Sequence, residues 1–360
     1  MKKSYLLGLV ALTVAATSCS NEEPASVNNA DNAIEFSTYV GRDALTRGSV
    51  FTTSEMQTQG FGVFAAYTAQ DNYAAQTMNF MYNQQVTYSA SAWTYSPLKY
   101  WPNNPGDKVS FFAYAPYNVA GATPDASLAK ITYTVADAVA DQKDLTVADA
   151  LKDQTKQSIT GTVTFNFKHV LSRIGLNVEA QVDLVNSDAT GNPDNGTTGN
   201  GALASETNIT VTKVELIGKF DKDGVIDLTN STWSEIAPAA SDVIYTWEAA
   251  NFVSSVATNV TTTKQQLNNV DNYAMIIPQN LSGMTVKVYY TVTTTDASES
   301  KNNSTVNNVI TSAPFDFNFQ QGEAYMFNLH LGMTSVKFDA SVSDWDTATE
   351  TVVNVPINNN

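Results

Sequence analysis

The segment VTFNFKHVLSRIGLNV, residues 163–178, constrains the fold of this chain more than any other stretch. Side chains of a β-strand point alternately to opposite faces, so apolar residues at every second position predict a strand with one buried face. One such face holds Val163, Phe165, Phe167, His169 and Leu171, and the alternation resumes beyond Ser172 with Ile174, Leu176 and Val178. The segment therefore predicts a strand, or a bent strand pair with a break near Ser172, at the centre of a sheet.

Further strand candidates follow one another along the chain, separated by Gly, Pro, Asn and Asp turn residues. Only 15% of the residues are charged, a composition that favours strands and turns over surface helices. About seven candidates lie in residues 33–157 and about seven in residues 158–360, a number typical of one Greek-key β-sandwich each. The sequence thus predicts an all-β chain of two tandem sandwich domains with these boundaries.

The first predicted strand is followed by a polar loop that a trypsin-like protease could enter. Its apolar positions share one face: Ile34, Phe36, Thr38 and Val40. The loop after Gly41 carries Arg42 and Arg47 among small and polar residues, where a chain can be exposed and cut. Cleavage there would allow the strand to leave its sheet, and another segment would have to refill the gap. An ordinary first strand with an ordinary loop is the alternative.

The N-terminus predicts export. Lys2 and Lys3 precede a short apolar run and then small residues, so residues 1–18 are typical of a signal peptide, and residues 19–32 form a polar tether. Cys19 is the only cysteine of the chain, so no internal disulfide can form. Its setting resembles a bacterial lipobox, in which the cysteine becomes the acylated N-terminus, although Ala16 stands where leucine is usual. This resemblance implies a palmitate-bearing lipoprotein of the outer membrane.

The composition argues against several classes of function. A net charge of −16 repels phosphate backbones, so we expect no nucleic-acid partner. No nucleophile, phosphate-loop or metal-ligand motif occurs, and the two histidines, His169 and His330, alternate with apolar residues. We expect a hydrogen-bonded core role for His169, no enzyme activity and no cofactor or metal. Residues 220–227, FDKDGVID, lack most ligands of a calcium loop and favour a tight Asp-Gly hairpin.

An aromatic group in the first predicted domain suggests two roles. Its members are Trp93, Tyr95, Tyr100 and Trp101. Flat rings with polar rims can stack on sugars, but aromatic residues in short strands more often pack in the core or across strands. We favour packing.

The residues after Trp345 predict one more strand than the second domain needs. Thr351, Val353, Val355 and Ile357 share one face, like the apolar face of the first strand. A free strand of this kind could enter the vacated place in another copy, through main-chain hydrogen bonds and side-chain pockets. Such a contact is head to tail, so it generates an open filament.

Taken together, the sequence resembles the fimbrillin family of type V pili. The resemblance is carried, in order, by Cys19, the first strand with Arg47, WTYSPLKYWP, KVSFFAYAPY, VTFNFKHVLSRI, YAMIIPQ, FNFQQGEAYMFNLHL and VKFDASVSDW. It implies two transthyretin-like sandwiches, export as an outer-membrane lipoprotein, cleavage by an Arg-specific protease and polymerisation into a fimbrium through a C-terminal donor strand. By this resemblance, Arg47 corresponds to the cleavage position, with Arg42 as the alternative. The residues from Thr349 to Ile357 correspond to the donor strand.

The resemblance leaves the type of subunit open. Arg47, the tail and the lack of an added domain favour a shaft subunit that supports adhesion to a host or bacterial partner. A fimbrial tip or accessory adhesin is one alternative. A surface lipoprotein that binds glycans without polymerising is the other.

Overall fold

The structure is a computed structural model that describes residues 32–40, 53–181, 205–237, 239–296, 304–332, 336–345 and 351–353. Cys19, Arg42 and Arg47 lie outside the described residues, as do Val355 and Ile357. Nearly all regular structure in the described part is β-strand, which confirms the all-β prediction. No helix in this part is long and apolar enough to cross a membrane.

The described residues up to His169 form ten strands and one short α-helix. Helix α1 spans Thr53–Gln59. The strands are β1 Glu35–Val40, β2 Phe61–Ala69, β3 Met81–Ser89, β4 Ala92–Thr94, β5 Lys108–Ala115, β6 Ala122–Pro124, β7 Lys130–Thr134, β8 Thr146–Ala148, β9 Leu151–Gln154 and β10 Thr162–His169.

The remainder contributes thirteen described strands and a second short helix. Helix α2 spans Ser254–Thr258. The strands are β11 Ser172–Ala180, β12 Ser205–Gly218, β13 Asp223–Asp227, β14 Thr232–Ser234, β15 Val243–Glu248, β16 Gln265–Gln266, β17 Ala274–Ile276, β18 Asn280–Asp296, β19 Ser304–Thr311, β20 Phe315–Asn318, β21 Glu323–Leu331, β22 Val336–Asp344 and β23 Thr351–Val353.

The described strands form four sheets. The first has the order β1-β10-β8-β5-β2-β3-β4, with β9 paired to β5. The second runs β16-β11-β21-β22-β23, with β17 on β11, and the third runs β15-β12-β18-β19, with β20 on β18. The fourth, β14-β13-β7-β6, joins strands from both halves of the sequence.

The division of the chain at residue 157 stays a prediction. Three strand pairings cross this point. Strand β10 follows it in sequence and pairs with β1 and β8 of the first sheet, and β13 pairs with β7.

The central alternating segment folds as its pattern predicts. Val163, Phe165 and Phe167 of β10 are at most 1% exposed, whereas Thr164 between them faces solvent. The break falls at Val170 and Leu171, after which β11 begins at Ser172. Because residues up to Phe167 belong to one buried apolar cluster and those from Val170 onward to another, the bend carries the chain from one core to the other.

The predicted Asp-Gly hairpin is wrong. Asp223 and Gly224 lie inside β13, which pairs with β14 and β7 and not with the preceding strand β12. The Asp221 carboxylate accepts a hydrogen bond from the Asp223 backbone amide at 3.0 Å, which turns the chain before β13 begins. An Asp-Gly pair can therefore begin a strand that pairs in a different sheet from the preceding strand. The local sequence of the turn does not show this.

Candidate functional site around the first strand

Among the described strands, β1 lies at the end of the first sheet and has one full-length neighbour, β10. The two strands run parallel, with Glu35 opposite Thr162 and Val40 opposite Phe167. A parallel neighbour cannot be joined by a tight hairpin, so the contact is long-range by necessity.

The beginning of β1 is also bound on its other side. The Ile34 backbone amide donates to the Lys99 carbonyl oxygen at 2.9 Å, and the Trp101 amide donates to the Asn32 carbonyl oxygen at 2.9 Å. The Tyr95 hydroxyl donates to the Ile34 carbonyl oxygen at 2.9 Å. Burial raises the pKa of Tyr95, so this hydroxyl keeps its proton and remains a donor at neutral pH. The start of β1 therefore lies in a slot with main-chain partners on both sides.

The alternating pattern of the first strand is confirmed by its burial. Ile34 is 1% exposed and Phe36 is 5% exposed, whereas Tyr39 on the opposite face is 51% exposed. Thr38 is half-buried. The backbone of Val40 belongs to the strand. Both buried side chains join the smaller of the two apolar clusters, which also holds parts of α1, β2, β5 and β10.

Phe36 is surrounded by four aromatic rings, here called the aromatic pocket: Phe61, Tyr95, Phe111 and Phe165. Its centroid lies 5.7 Å from that of Phe165 in a stacked arrangement and 5.2 Å from that of Tyr95. Aromatic pairs at such separations stabilise a core beyond their buried area alone. Removing β1 would take the central ring out of this pocket.

The aromatic group of the first half packs, as favoured from the sequence. Trp101 is 2% exposed, with its ring 5.7 Å from that of Phe111. Trp93 contacts Phe61 at a centroid distance of 4.9 Å, so both tryptophans help to cover the region under β1. Of this group only Tyr100 is exposed, at 40%. The sequence missed this clustering around β1 because the pairing of Lys99–Trp101 with the first strand spans more than sixty residues of chain.

The tail is not entirely free, which differs from the expectation of a free strand. Thr351–Val353, strand β23, pairs antiparallel with Ala340–Val342 of β22. It is the last described strand of the second sheet, with a described neighbour on one side only. Thr351 and Val353 therefore lie beside β22, which ends at Asp344, one residue before Trp345.

The histidines occupy structural positions. His169 is 5% exposed and its Nδ1 lies 2.7 Å from Asp144 Oδ2, which confirms the hydrogen-bonded core role. His330 lies between two carboxylates, with Nδ1 2.6 Å from Glu179 Oε1 and Nε2 2.6 Å from Asp339 Oδ2. This second arrangement joins β11, β21 and β22 and carries no signal in the sequence. Within the described ranges, no group of three or more His, Cys, Asp or Glu residues is placed to hold a metal ion.

Known proteins similar to this chain share both its sequence pattern and its fold. The family model described as fimbrillin-like matches residues 46–345. A fimbrium subunit of Phocaeicola vulgatus, Fim1C, is 29% identical, and the match covers 98% of this chain and 99% of that subunit. The crystal structure of a fimbrial protein from Bacteroides vulgatus superposes with a TM-score of 0.62 and 22% identity, over 87% of this chain and 99% of the other. A cell adhesion protein from Bacteroides ovatus has a TM-score of 0.50 and 15% identity, over 87% and 97%.

Proposed function

This chain belongs to the fimbrillin-like family, and we propose that it is a shaft subunit of a cell-surface fimbria that polymerises by exchange of its first strand. The observation that carries the proposal is the position of β1, which lies at the end of its sheet while Phe36 within it and Ile34 directly before it are buried. A terminal strand can leave without breaking the sheet in two. The buried side chains mean that its place must then be refilled.

The precursor is a lipoprotein anchored in the outer membrane through a lipid on Cys19, and its two halves are transthyretin-like sandwiches. The lipobox-like setting of Cys19 and the resemblance to the fimbrillin family support both features. The mature subunit lies in the fimbrium, outside the membrane.

An Arg-specific protease releases β1 by cutting after Arg47, or after Arg42. Both arginines lie in the segment between Val40, where β1 ends, and Thr53, where α1 begins. A cut in this segment leaves β1 attached to the domain only by non-covalent contacts. Burial of one large apolar side chain contributes about 1.5–3 kcal/mol, so Ile34 and Phe36 together resist release by about 3–6 kcal/mol.

The tail of another copy of this chain, or of a related pilin, fills the position that β1 leaves. The tail alternates apolar residues from Thr351 to Ile357, and β1 alternates them from Ile34 to Val40. An added strand restores the main-chain hydrogen bonds that β1 makes and fills its side-chain pockets. Since donor and acceptor are different surfaces, the contact repeats and gives an open filament.

The experiment is assembly after treatment with an Arg-specific protease, followed on denaturing gels and by electron microscopy. Wild-type protein should form ladders and filaments. The double variant Arg42→Ala with Arg47→Ala should stay a folded monomer, and the two single variants serve as matched controls that identify the cleaved bond. Filaments from the double variant would refute the proposal.

Two alternatives make different predictions in the same preparation. A tip or accessory adhesin would be cleaved and would accept a tail, but would not form filaments from this subunit alone. A glycan-binding surface lipoprotein would bind soluble sugars in both the cleaved and the uncleaved form and would not polymerise. Tyr100 supports this second alternative only weakly, since the other rings of its group are largely packed.

A further inference from the structure

The aromatic pocket requires a large apolar side chain. The rings of Phe61, Tyr95, Phe111 and Phe165 surround Phe36 at centroid distances between 5.2 and 6.3 Å. Protein interiors are close-packed, so a smaller side chain at this point leaves a cavity whose cost rises with its volume. The neighbouring site is filled by Ile34, whose aliphatic side chain is buried to a similar degree.

We propose that the aromatic pocket sets the register of strand exchange: Ile357 of the incoming tail takes the place of Phe36, and Val355 takes the place of Ile34. This inference rests on the proposed strand exchange and specifies how the groove recognises its donor. The incoming tail follows the path of β1, parallel to β10.

The sizes of the side chains favour this alignment. Ile357 is the largest apolar residue after Trp345, so it leaves the smallest cavity in the aromatic pocket. Asn359 then falls at the half-buried position of Thr38, where a polar residue already stands. The alternative, here called the in-phase alignment, places Thr351 at the position of Ile34. It puts a polar threonine in a site that is 1% exposed, and it puts only Val353 in the aromatic pocket.

Pro356 restricts the register of the tail independently of side-chain size. Pro356 has no backbone N–H, and proline in a sheet is confined to the first residue of a strand, to edges or to bulges. In the proposed register Pro356 replaces Glu35, the first residue of β1. The in-phase alignment would place Pro356 at Tyr39, opposite Asn166 within the ladder.

The pairing of β23 is compatible with the same register. Thr351–Val353 hydrogen-bonds along Ala340–Val342 of its own subunit. The proposed register uses only residues from Val355 onward in the neighbour, so β23 can remain in place during exchange. The in-phase register would require β23 to detach from β22 first.

Disulfide cross-linking between subunits distinguishes the registers directly. Ser37 lies opposite Thr164, whose side chain is exposed on β10. In the proposed register Asn358 occupies the position of Ser37, and in the in-phase register Asn354 does. The two matched double variants are therefore Thr164→Cys with Asn358→Cys and Thr164→Cys with Asn354→Cys. The only native cysteine, Cys19, lies in the segment that cleavage removes.

Both variants are processed with Arg-specific protease, allowed to assemble, oxidised, and analysed on non-reducing denaturing gels. The Asn358 pair should give covalent ladders that collapse to monomer on reduction, and the Asn354 pair should give at least tenfold less cross-linked product. Ladders from the Asn354 pair, or filaments that cross-link with neither pair, would overturn the proposed register. Failure of the unsubstituted protein to form filaments would instead contradict strand exchange itself.

Discussion

The imidazole of His169 stacks on the indole of Trp345, with ring centroids 4.3 Å apart and planes within 3° of parallel. His169 is the last residue of β10, which pairs with β1, and Trp345 follows β22, which pairs with β23. Trp345 also contacts the Arg173 guanidinium, whose Cζ lies 5.1 Å from the ring centroid. The strand beside the proposed acceptor slot thus contacts the base of the proposed donor tail.

A double-mutant cycle on this pair should reveal coupling. Stacked ring pairs contribute about 0.5–1.5 kcal/mol beyond buried area, so we expect the free-energy losses of His169→Gln and Trp345→Leu to differ from additivity by about that amount. The free energy of unfolding in urea gives each value. A cycle with Trp247→Leu in place of Trp345→Leu is the control, because Trp247 is equally buried but bonds to Asn272 instead. Additive losses for His169 and Trp345 would contradict a stabilising stack.

The two faces of β1 should respond differently to truncation in the uncleaved chain. Phe36→Ala should lower the free energy of unfolding by about 3–5 kcal/mol, because it leaves a cavity among four rings. Tyr39→Ala on the exposed face should change it by less than about 0.5 kcal/mol. Urea denaturation measures both. Equal effects would mean that β1 does not contribute its inward face to the core.

The strands were predictable because their signal is local. Val163, Phe165 and Phe167 alternate with exposed or half-buried positions, and the burial of β10 follows that alternation residue by residue. Burial at Ile34 and Phe36 follows the same rule. A period-two pattern identifies the inward face of a strand whichever neighbour it later acquires.

The pairings were not predictable, because a strand pattern does not identify its partner. Nothing near Glu35 indicates a parallel neighbour that begins at Thr162, and nothing near Asp223 indicates pairing with Thr134. The carboxylates around His330 come from two other strands, so their contacts with it could not be predicted from the local sequence either. Helix α1 was also missed, because its seven residues are too few to show a helical period; Met56 is buried, but Ser54, Glu55 and Thr58 around it are polar.

Two glycines with the same φ angle distinguish the cost of backbone strain from the cost of a steric collision. Gly60 and Gly283 both have φ of +71°, where a residue with a Cβ is disfavoured by about 1–2 kcal/mol. A Cβ on Gly283 would meet no atom within 4 Å, but one on Gly60, which follows α1, would collide with the Val86 carbonyl oxygen. Gly283→Ala should therefore lose only the strain energy, and Gly60→Ala should lose more. Thermal or urea unfolding compares the stability of the two variants. Equal losses of stability would mean that the main chain around Val86 shifts without an energetic cost.

Tyr114 should make the folded protein sensitive to alkali. Burial raises the pKa of its hydroxyl from 10.0 to about 12. Between these values the unfolded chain has lost a proton that the folded chain keeps, so the unfolded state gains stability as pH rises. The contribution of Tyr114 is fully present below pH 10 and is lost as pH rises through the folded pKa of about 12.

The variant Tyr114→Phe tests this linkage. It loses the hydrogen bond from the hydroxyl to Asn83 Oδ1, 2.9 Å long, so it should be less stable than wild type below pH 10 by about 1 kcal/mol. Its stability should then fall less steeply than that of wild type between pH 10 and 12, because no hydroxyl titrates at this site. Urea midpoints across this range measure the slope, and Tyr39→Phe at a half-exposed site is the control. Parallel slopes for wild type and Tyr114→Phe would show that the Tyr114 hydroxyl ionises equally readily in both states.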